Sequence, residues 1–128
     1  PAPRIAVLGA GGDRDASKRG PMGAAAAANA ELVVVTDDNP RSEPPPAIRA
    51  AVLAGAVATG GAEALDGGDR RSAIALALRR ATPQTWVAVL GKGHETGQEI
   101  AGAISPFDDV TVAREEWSRI TEGSAAGA

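Results

Sequence analysis

The sequence contains no cysteine, one histidine and very few aromatic residues, and each shortage excludes a class of protein. Without cysteine, disulfide scaffolds, thiol catalysis and structural zinc sites are excluded, and the single His94 is a poor basis for a transition-metal site. Aromatic residues make up 2% of the chain, so the core must be built mainly from Val, Ile and Leu. From the missing cysteine and the single histidine, we predict no metal site.

Long apolar runs and an excess of positive charge are also missing. No run approaches the roughly 18 apolar residues that span a bilayer, so we expect a soluble, cytoplasmic protein without a membrane partner. Lys and Arg number 13 against 16 Asp and Glu, a net charge of -3, which argues against nucleic acid as a partner. The 128 residues fit one domain, which we expect to be monomeric. The start at Pro1 indicates a processed chain, an engineered protein or a domain cut from something longer.

Short apolar runs alternate with helical patterns along the chain. The strongest strands are predicted over residues 4–8, 32–36 and 86–90, with a short strand over 62–65 and a hairpin over 99–104. Helices are predicted over 21–30, from the prolines at 44–46, behind a cap at Asp69 up to Arg80, and from Asp108 or Asp109 to about Glu122. The pattern predicts one α/β domain over residues 1–122, Rossmann-like and doubly wound, with a mostly parallel sheet, helices on both faces and a flexible tail over 123–128.

The loops that follow the three strongest strands hold most of the polar residues with special chemistry. The carboxyl ends of parallel strands meet at one edge of a sheet, where ligands bind in this class of fold. Both lysines of the chain, Lys18 and Lys92, lie in these loops, together with His94 and the sequence Asp-Asn-Pro-Arg at 38–41. This distribution favours a shared site over the alternative that the loops are polar only because they are exposed.

The first of these loops, Gly-Ala-Gly-Gly-Asp-Arg-Asp at 9–15, lacks a nucleotide-binding motif. A G-x-G-x-x-G motif would need glycine where Arg14 stands, and no G-x-x-x-x-G-K-[ST] sequence occurs in the chain. Its main-chain N–H groups and the Arg14 guanidinium can still offer hydrogen bonds to an anion. The alternative is that the glycines only make a sharp turn and that Arg14 pairs with Asp13 or Asp15.

The second loop holds an amide and a guanidinium in a defined relation. Pro40 pushes Asn39 towards extended geometry and fixes the backbone before Arg41. A rigid amide and a planar guanidinium suit a carboxylate, which arginine can bind through two parallel hydrogen bonds. The alternative is a local Asx-type turn with a solvated arginine.

The third loop, Gly-Lys-Gly-His-Glu at 91–95, places a cation, an imidazole and a carboxylate between glycines that let a ligand approach the backbone. No G-x-S-x-G sequence accompanies His94, which disfavours hydrolase chemistry. Glu95 beside basic groups suits the ammonium group of a ligand. With carboxylate binders at Arg14, Asn39 and Arg41, the three loops predict an amino-acid pocket, and the number of these binders indicates a ligand with two carboxylates.

Four motifs in order resemble one known family. They are Gly-Ala-Gly-Gly-Asp-Arg-Asp at 9–15 with Lys18-Arg19, Val-Val-Thr-Asp-Asp-Asn-Pro-Arg at 34–41, Gly-Lys-Gly-His-Glu-Thr-Gly-Gln at 91–98 and Pro-Phe-Asp-Asp at 106–109. Over about residues 4–119 the chain resembles the C-terminal domain of the Mur ligases, in particular of members that add diaminopimelate. The resemblance implies an enzyme with an N-terminal domain for a UDP-sugar, a central domain for ATP and this domain for the incoming amino acid.

The resemblance also implies a reaction. ATP phosphorylates the D-glutamyl γ-carboxylate of the UDP-N-acetylmuramoyl-dipeptide, and an amino group of meso-diaminopimelate attacks the acyl phosphate to form an amide of peptidoglycan. ATP and Mg²⁺ would bind to the central domain, which is absent here. This chain is expected to hold no catalytic residue and no cofactor, and to be inactive alone.

Individual roles follow from the same resemblance. The positions that match contacts to meso-diaminopimelate are Arg14, Asn39, Arg41, Gly91 and Glu95, and Arg41 matches the residue that separates diaminopimelate-adding from lysine-adding members. Asp13 and Lys18 would lie near the nucleotide, and Asp38, Lys92 and His94 would support the loops. Ala16-Ser17 and Gly20-Pro21 depart from the polar and basic residues expected of the family. Two alternatives stay open: a free-standing, non-catalytic amino-acid-binding module, and a flavodoxin-like nucleotide binder, which the missing glycine motif disfavours.

Overall fold

The structure, a computed structural model, describes residues 2–127, with side chains as far as residue 123. Four strands form one parallel sheet in the order β3-β2-β1-β4, and two more form an antiparallel hairpin. The strands are β1 (Arg4–Leu8), β2 (Leu32–Thr36), β3 (Glu63–Gly68), β4 (Trp86–Val89), β5 (Gly97–Ile100) and β6 (Ala103–Pro106). The helices are α1 (Arg19–Asn29), α2 (Pro45–Thr59), α3 (Arg70–Arg80) and α4 (Asp109–Gly127), and a 3-10 turn covers Ala16–Lys18. The predicted α/β fold is confirmed.

Helices cover both faces of the sheet, as predicted. On one face, α1 and α2 pack on Leu8, Val33 and Val35 through residues that include Ile48 and Val52. On the other face, α3 and α4 pack on the alternate residues of the same strands. Because β2 is buried along its whole length, its sequence is continuously apolar up to Thr36.

Two helix starts show how local sequence sets the bounds. Asp69 caps α3, since its carboxylate accepts a hydrogen bond from the Ser72 main-chain N–H at 3.1 Å. α1 begins at Arg19, two residues before the predicted start, because the 3-10 turn leads directly into it. Pro21 is tolerated there, since a first-turn residue needs no main-chain N–H donor.

Helix α4 continues to Gly127, beyond the end that was predicted near Glu122. The flexibility of the tail over 123–128 stays a prediction, and Ala128 lies outside the described residues. No helix within residues 2–127 is long and apolar enough to cross a membrane.

Candidate functional site

Three loops meet at the carboxyl edge of the sheet because β2, β1 and β4 are neighbours. We call them the first loop (9–18), the second loop (37–44) and the third loop (90–96). The hairpin of β5 and β6 folds back onto the second loop. There the Arg41 main-chain N–H donates to the Glu99 carbonyl at 2.9 Å, and the Ala101 N–H donates to the Arg41 carbonyl at 2.6 Å. The predicted hairpin thus becomes part of the site.

The first and second loops touch through glycine. The Gly12 N–H donates to the Asn39 carbonyl at 2.7 Å. A Cβ at Gly12 would overlap the Pro40 carbonyl, so no larger residue fits without moving one of the loops. The glycine therefore serves close contact between two chain segments, which goes beyond the sharp turn considered from the sequence.

Arg41 lies against the protein and is not a solvated side chain. Its backbone is in the left-handed region with φ 53°, and its side chain is 23% exposed. Nη1 donates to the Gly12 carbonyl at 3.0 Å, and Nε lies 3.7 Å from a Glu99 carboxylate oxygen. Asn39 accepts a hydrogen bond from the Glu99 N–H at 2.9 Å, across 60 residues of sequence. The alternative of a local Asx turn with a solvated arginine is therefore wrong.

Arg14 lies beside Arg41, with Gly11 between them. A Cβ at Gly11 would lie 3.0 Å from Arg41 Nη1 and 3.5 Å from Arg14 Cγ. Arg14 is exposed and donates to the Asp13 main-chain carbonyl at 3.3 Å. The Asp15 carboxylate instead caps the 3-10 turn, accepting from the Ser17 N–H at 3.0 Å. The Arg41 guanidinium and the aliphatic part of the Arg14 side chain thus flank the backbone at Gly11.

The Asp13 carboxylate is held by the second loop. Ser42 Oγ donates to one carboxylate oxygen at 2.6 Å and the Ser42 N–H donates to the other at 3.3 Å. These hydrogen bonds hold the pKa of Asp13 below its ordinary value. The alternative in which Arg14 pairs with Asp13 or Asp15 is not observed as an ion pair: serine hydrogen bonds engage both carboxylates, and Arg14 donates only to the Asp13 main-chain carbonyl.

The third loop surrounds a buried lysine. Lys92 Nζ donates to the Gly97 carbonyl and lies 3.8 Å from Asp38 Oδ1 and 4.0 Å from Glu95 Oε1. Burial raises the pKa of Asp38, and its Oδ1 has no hydrogen-bond partner among the described residues. The Glu95 side chain is 59% exposed. One cation thus faces two carboxylates, one partly buried and one open to solvent.

Gly91 and His94 occupy different parts of the third loop. Gly91 has φ 110°, and a Cβ there would lie 3.3 Å from Asp38 Oδ2. The second and third loops therefore approach each other closely at this glycine. His94 is exposed, as is Lys18 in the first loop.

Sequence reasoning missed a buried ion pair that joins the second and third loops. The buried Arg70 donates from Nε and Nη2 to the two Asp109 carboxylate oxygens at 2.8 and 2.7 Å. Its remaining donors reach the carbonyls of Asp37 and Leu90, both at 3.1 Å. Arg70 therefore ties the second loop to the third. The available signal was Pro-Phe-Asp-Asp at 106–109, in which Asp109 was considered only as a helix cap.

The site is built from charged side chains of the three loops. Nowhere in residues 2–127 do three His, Cys, Asp or Glu side chains come together in a way that could hold a metal ion. The arrangement offers guanidinium groups from the first and second loops and carboxylates from the second and third. Such a pair of opposite charges suits a small zwitterion.

Comparison with known proteins places this geometry in a family. The family described as "Mur ligase, glutamate ligase domain" matches residues 1–93. The chain belongs to the Mur ligase C-terminal domain family. This family assignment agrees with the resemblance of the four sequence motifs.

Full-length Mur ligases are among the proteins similar to this Mur ligase C-terminal domain. The chain is 54% identical over 115 residues to the UDP-N-acetylmuramoyl-L-alanyl-D-glutamate–2,6-diaminopimelate ligase of Streptomyces coelicolor. The aligned region covers 86% of the chain and 22% of that relative. The chain is also 54% identical over 108 residues to the ligase of the same name from Corynebacterium glutamicum, covering 80% of the chain and 21% of the relative. A solved structure of a ligase of this name superposes with a TM-score of 0.86 at 39% identity, over 93% of the chain and 24% of that structure. The chain thus spans about a fifth of the length of the curated relatives.

Proposed function

We propose that the chain is the amino-acid-binding domain of an ATP-dependent ligase that adds meso-diaminopimelate to UDP-N-acetylmuramoyl-L-alanyl-D-glutamate. Two proteins that are 54% identical to most of this chain are named as ligases of UDP-N-acetylmuramoyl-L-alanyl-D-glutamate and 2,6-diaminopimelate. ATP, Mg²⁺ and the UDP-linked dipeptide would bind to the remainder of the ligase. The domain alone would therefore not form the amide.

The observation that carries this proposal is the separation of charge at the carboxyl edge. Arg14 and Arg41 flank Gly11 on one side, while Asp38 and Glu95 gather around Lys92 on the other. Guanidinium groups bind carboxylates through paired hydrogen bonds, and carboxylates bind ammonium groups. Diaminopimelate has both groups at each end, whereas lysine lacks the second carboxylate.

The proposed contacts divide into three groups. Residues that contact meso-diaminopimelate are Arg14, Asn39, Arg41, Gly91 and Glu95. Asp13 and Lys18 face the nucleotide, and Asp38, Lys92 and His94 support the loops. Because Asn39 uses its side-chain oxygen to accept from Glu99, its NH₂ group is the donor available to a ligand carboxylate.

The domain's chemical task is to position a nucleophile. In the proposed reaction, a diaminopimelate nitrogen bonds to the γ-carbonyl carbon, the carbon–oxygen bond to phosphate breaks and the nitrogen loses a proton. Closure of the domain over the remainder of the ligase would orient the amine and exclude water. Fixing both ends of the amino acid makes this orientation specific.

A two-ligand NMR titration of the 128-residue chain tests the proposal. We expect saturable shifts at Arg14, Asn39, Arg41 and Glu95 with meso-diaminopimelate and no such shifts with L-lysine. A companion assay uses the complete Streptomyces coelicolor relative in which this chain replaces the matched region, which we call the chimera. The proposal is contradicted if the folded chimera prefers lysine or ligates neither amino acid.

A further inference from the structure

Arg41 is held in place by contacts that do not involve the Glu99 carboxylate. Its main chain is fixed on both sides by the hairpin, through the Glu99 carbonyl and the Ala101 N–H. Its side chain is fixed at Nη1, which donates to the Gly12 carbonyl at 3.0 Å and to the Asn39 carbonyl at 3.5 Å. The guanidinium therefore keeps its position whether or not a carboxylate faces its other nitrogens.

The Arg41 guanidinium has one edge left to offer to a carboxylate. Carboxylates bind arginine best through two parallel hydrogen bonds from neighbouring nitrogens. Because Nη1 already donates to main-chain carbonyls, the pair of nitrogens left for such binding is Nε and Nη2. Nη2 makes no hydrogen bond to any residue that the structure describes. A ligand carboxylate would therefore bind along the edge formed by Nε and Nη2.

The Glu99 carboxylate lies beside this same edge. Its Oε1 is 3.7 Å from Arg41 Nε, a contact between charges that is too long for a hydrogen bond. The Glu99 side chain is 39% exposed, so its carboxylate can turn into water. Its main-chain N–H meanwhile stays bound to the Asn39 side-chain oxygen at 2.9 Å. Glu99 thus brings Arg41 a carboxylate that is near it but not hydrogen-bonded to it.

We propose that Glu99 sets the selectivity of the site by competing with the ligand for Arg41. In the empty site, the Glu99 carboxylate balances the charge of the guanidinium. The second carboxylate of meso-diaminopimelate displaces it, because two carboxylates repel each other at one edge. L-Lysine has no carboxylate at that end and leaves the pair of Arg41 and Glu99 intact. Glu99 therefore lowers the preference for diaminopimelate over lysine. This role rests on the proposed function, in which Arg41 receives a ligand carboxylate.

Removing the charge of Glu99 in the chimera tests the proposal. Glu99→Gln keeps the size of the side chain and the main-chain hydrogen bonds. We expect the KM for meso-diaminopimelate to fall about 5-fold at low ionic strength, with kcat, the KM for ATP and activity with L-lysine unchanged. Added salt should shrink the fall, because it screens the repulsion. Glu122→Gln removes the same charge from an exposed position on α4 and should change none of these values.

A double-mutant cycle with Arg41→Ala shows whether Glu99 acts through Arg41. In the Arg41→Ala background, Glu99→Gln should change the KM for meso-diaminopimelate by less than about 1.5-fold, because no guanidinium remains to compete for. An unchanged or higher KM after Glu99→Gln alone would overturn the proposal, and a higher KM would make Glu99 a support for Arg41. An equal fall with and without Arg41 would also overturn it, as a general effect of charge.

The proposed function and the role of Glu99 fail in different measurements. The unsubstituted chimera decides the function, because it must prefer meso-diaminopimelate to L-lysine. The pair of Arg41 and Glu99 can be checked without a ligand in the 128-residue chain. There Glu99→Gln should move the NMR signal of the Arg41 Nε–H group and leave the midpoint of thermal unfolding almost unchanged. An unmoved signal, or a large fall in the midpoint, would contradict a competing carboxylate at Nε.

Discussion

The two edges of the parallel sheet carry the same kinds of charged group in different surroundings. At the carboxyl edge, Arg70, Lys92 and Asp109 are buried. At the amino edge, the pair of Arg80 and Glu63 has side chains that are 46% and 49% exposed. The buried groups also bind main-chain carbonyls of the loops, whereas the exposed pair joins two surface side chains.

This difference shows what the buried charges contribute. Removing a charge from water is costly, and an ion pair in the interior regains that cost only with good geometry and further hydrogen bonds. Exposed pairs contribute little to stability. Burial of these charges therefore costs free energy at the carboxyl edge, but their hydrogen bonds hold the second and third loops in fixed positions before a ligand arrives.

Replacing Arg70 should produce the largest difference between the two edges. Arg70→Met leaves the buried Asp109 carboxylate without its partner and frees the carbonyls of Asp37 and Leu90. We expect a loss of about 3–5 kcal/mol in the free energy of unfolding, measured by urea denaturation. Arg80→Met is the matched control and should leave the denaturation midpoint almost unchanged. Similar losses in both variants would remove the distinction between the edges.

Glycine substitution tests the contact between loops. Gly12→Ala drives a methyl group into the Pro40 carbonyl, so we expect a loss of about 1–3 kcal/mol and NMR shifts confined to the first and second loops. Gly20→Ala is the control, because a Cβ there meets nothing within 4 Å and Gly20 lies in α1. That variant should change the free energy of unfolding by less than about 1 kcal/mol, because the helix propensity of alanine opposes the restriction that Pro21 places on the residue before it. A neutral Gly12→Ala would mean that the two loops separate easily.

The sequence was informative about elements and poor at contacts between them. Continuous apolar runs and caps such as Asp69 identified the strands and helices, because burial and capping are properties of neighbouring residues. The contacts of Arg70 with Asp109 and of Asn39 with Glu99 span 39 and 60 residues. No local sequence pattern predicts which carboxylate a buried arginine will contact. The loop residues could be gathered at one edge from topology alone, whereas the pairings among them required the structure.

Arg41→Ala should affect ligand choice more than fold. In the chimera we expect the KM for meso-diaminopimelate to rise about 30-fold, since losing one charge-assisted pair of hydrogen bonds costs about 2 kcal/mol. Activity with L-lysine, which has no second carboxylate, should change little. Arg79→Ala, an exposed position on α3, is the control. An equal rise for both amino acids would assign Arg41 to loop structure alone, through its hydrogen bond to Gly12.

The smallest expected effect is a difference in pKa between two carboxylates of the carboxyl edge. Hydrogen bonds from Ser42 lower the pKa of Asp13, whereas burial raises that of Asp38. Carboxyl carbon NMR should therefore show Asp13 titrating below the ordinary value of about 3.9 and Asp38 above it. Asp13 then stabilises the fold at pH values above its unfolded-state pKa, and this stabilisation is lost as pH falls through its folded-state pKa. Asp38 stabilises the fold in acid, and its stabilisation is lost as pH rises through its folded-state pKa. Ser42→Ala should return Asp13 to its ordinary range and leave Asp38 unchanged, and a joint shift of both groups would show that one coupled network sets their pKa values.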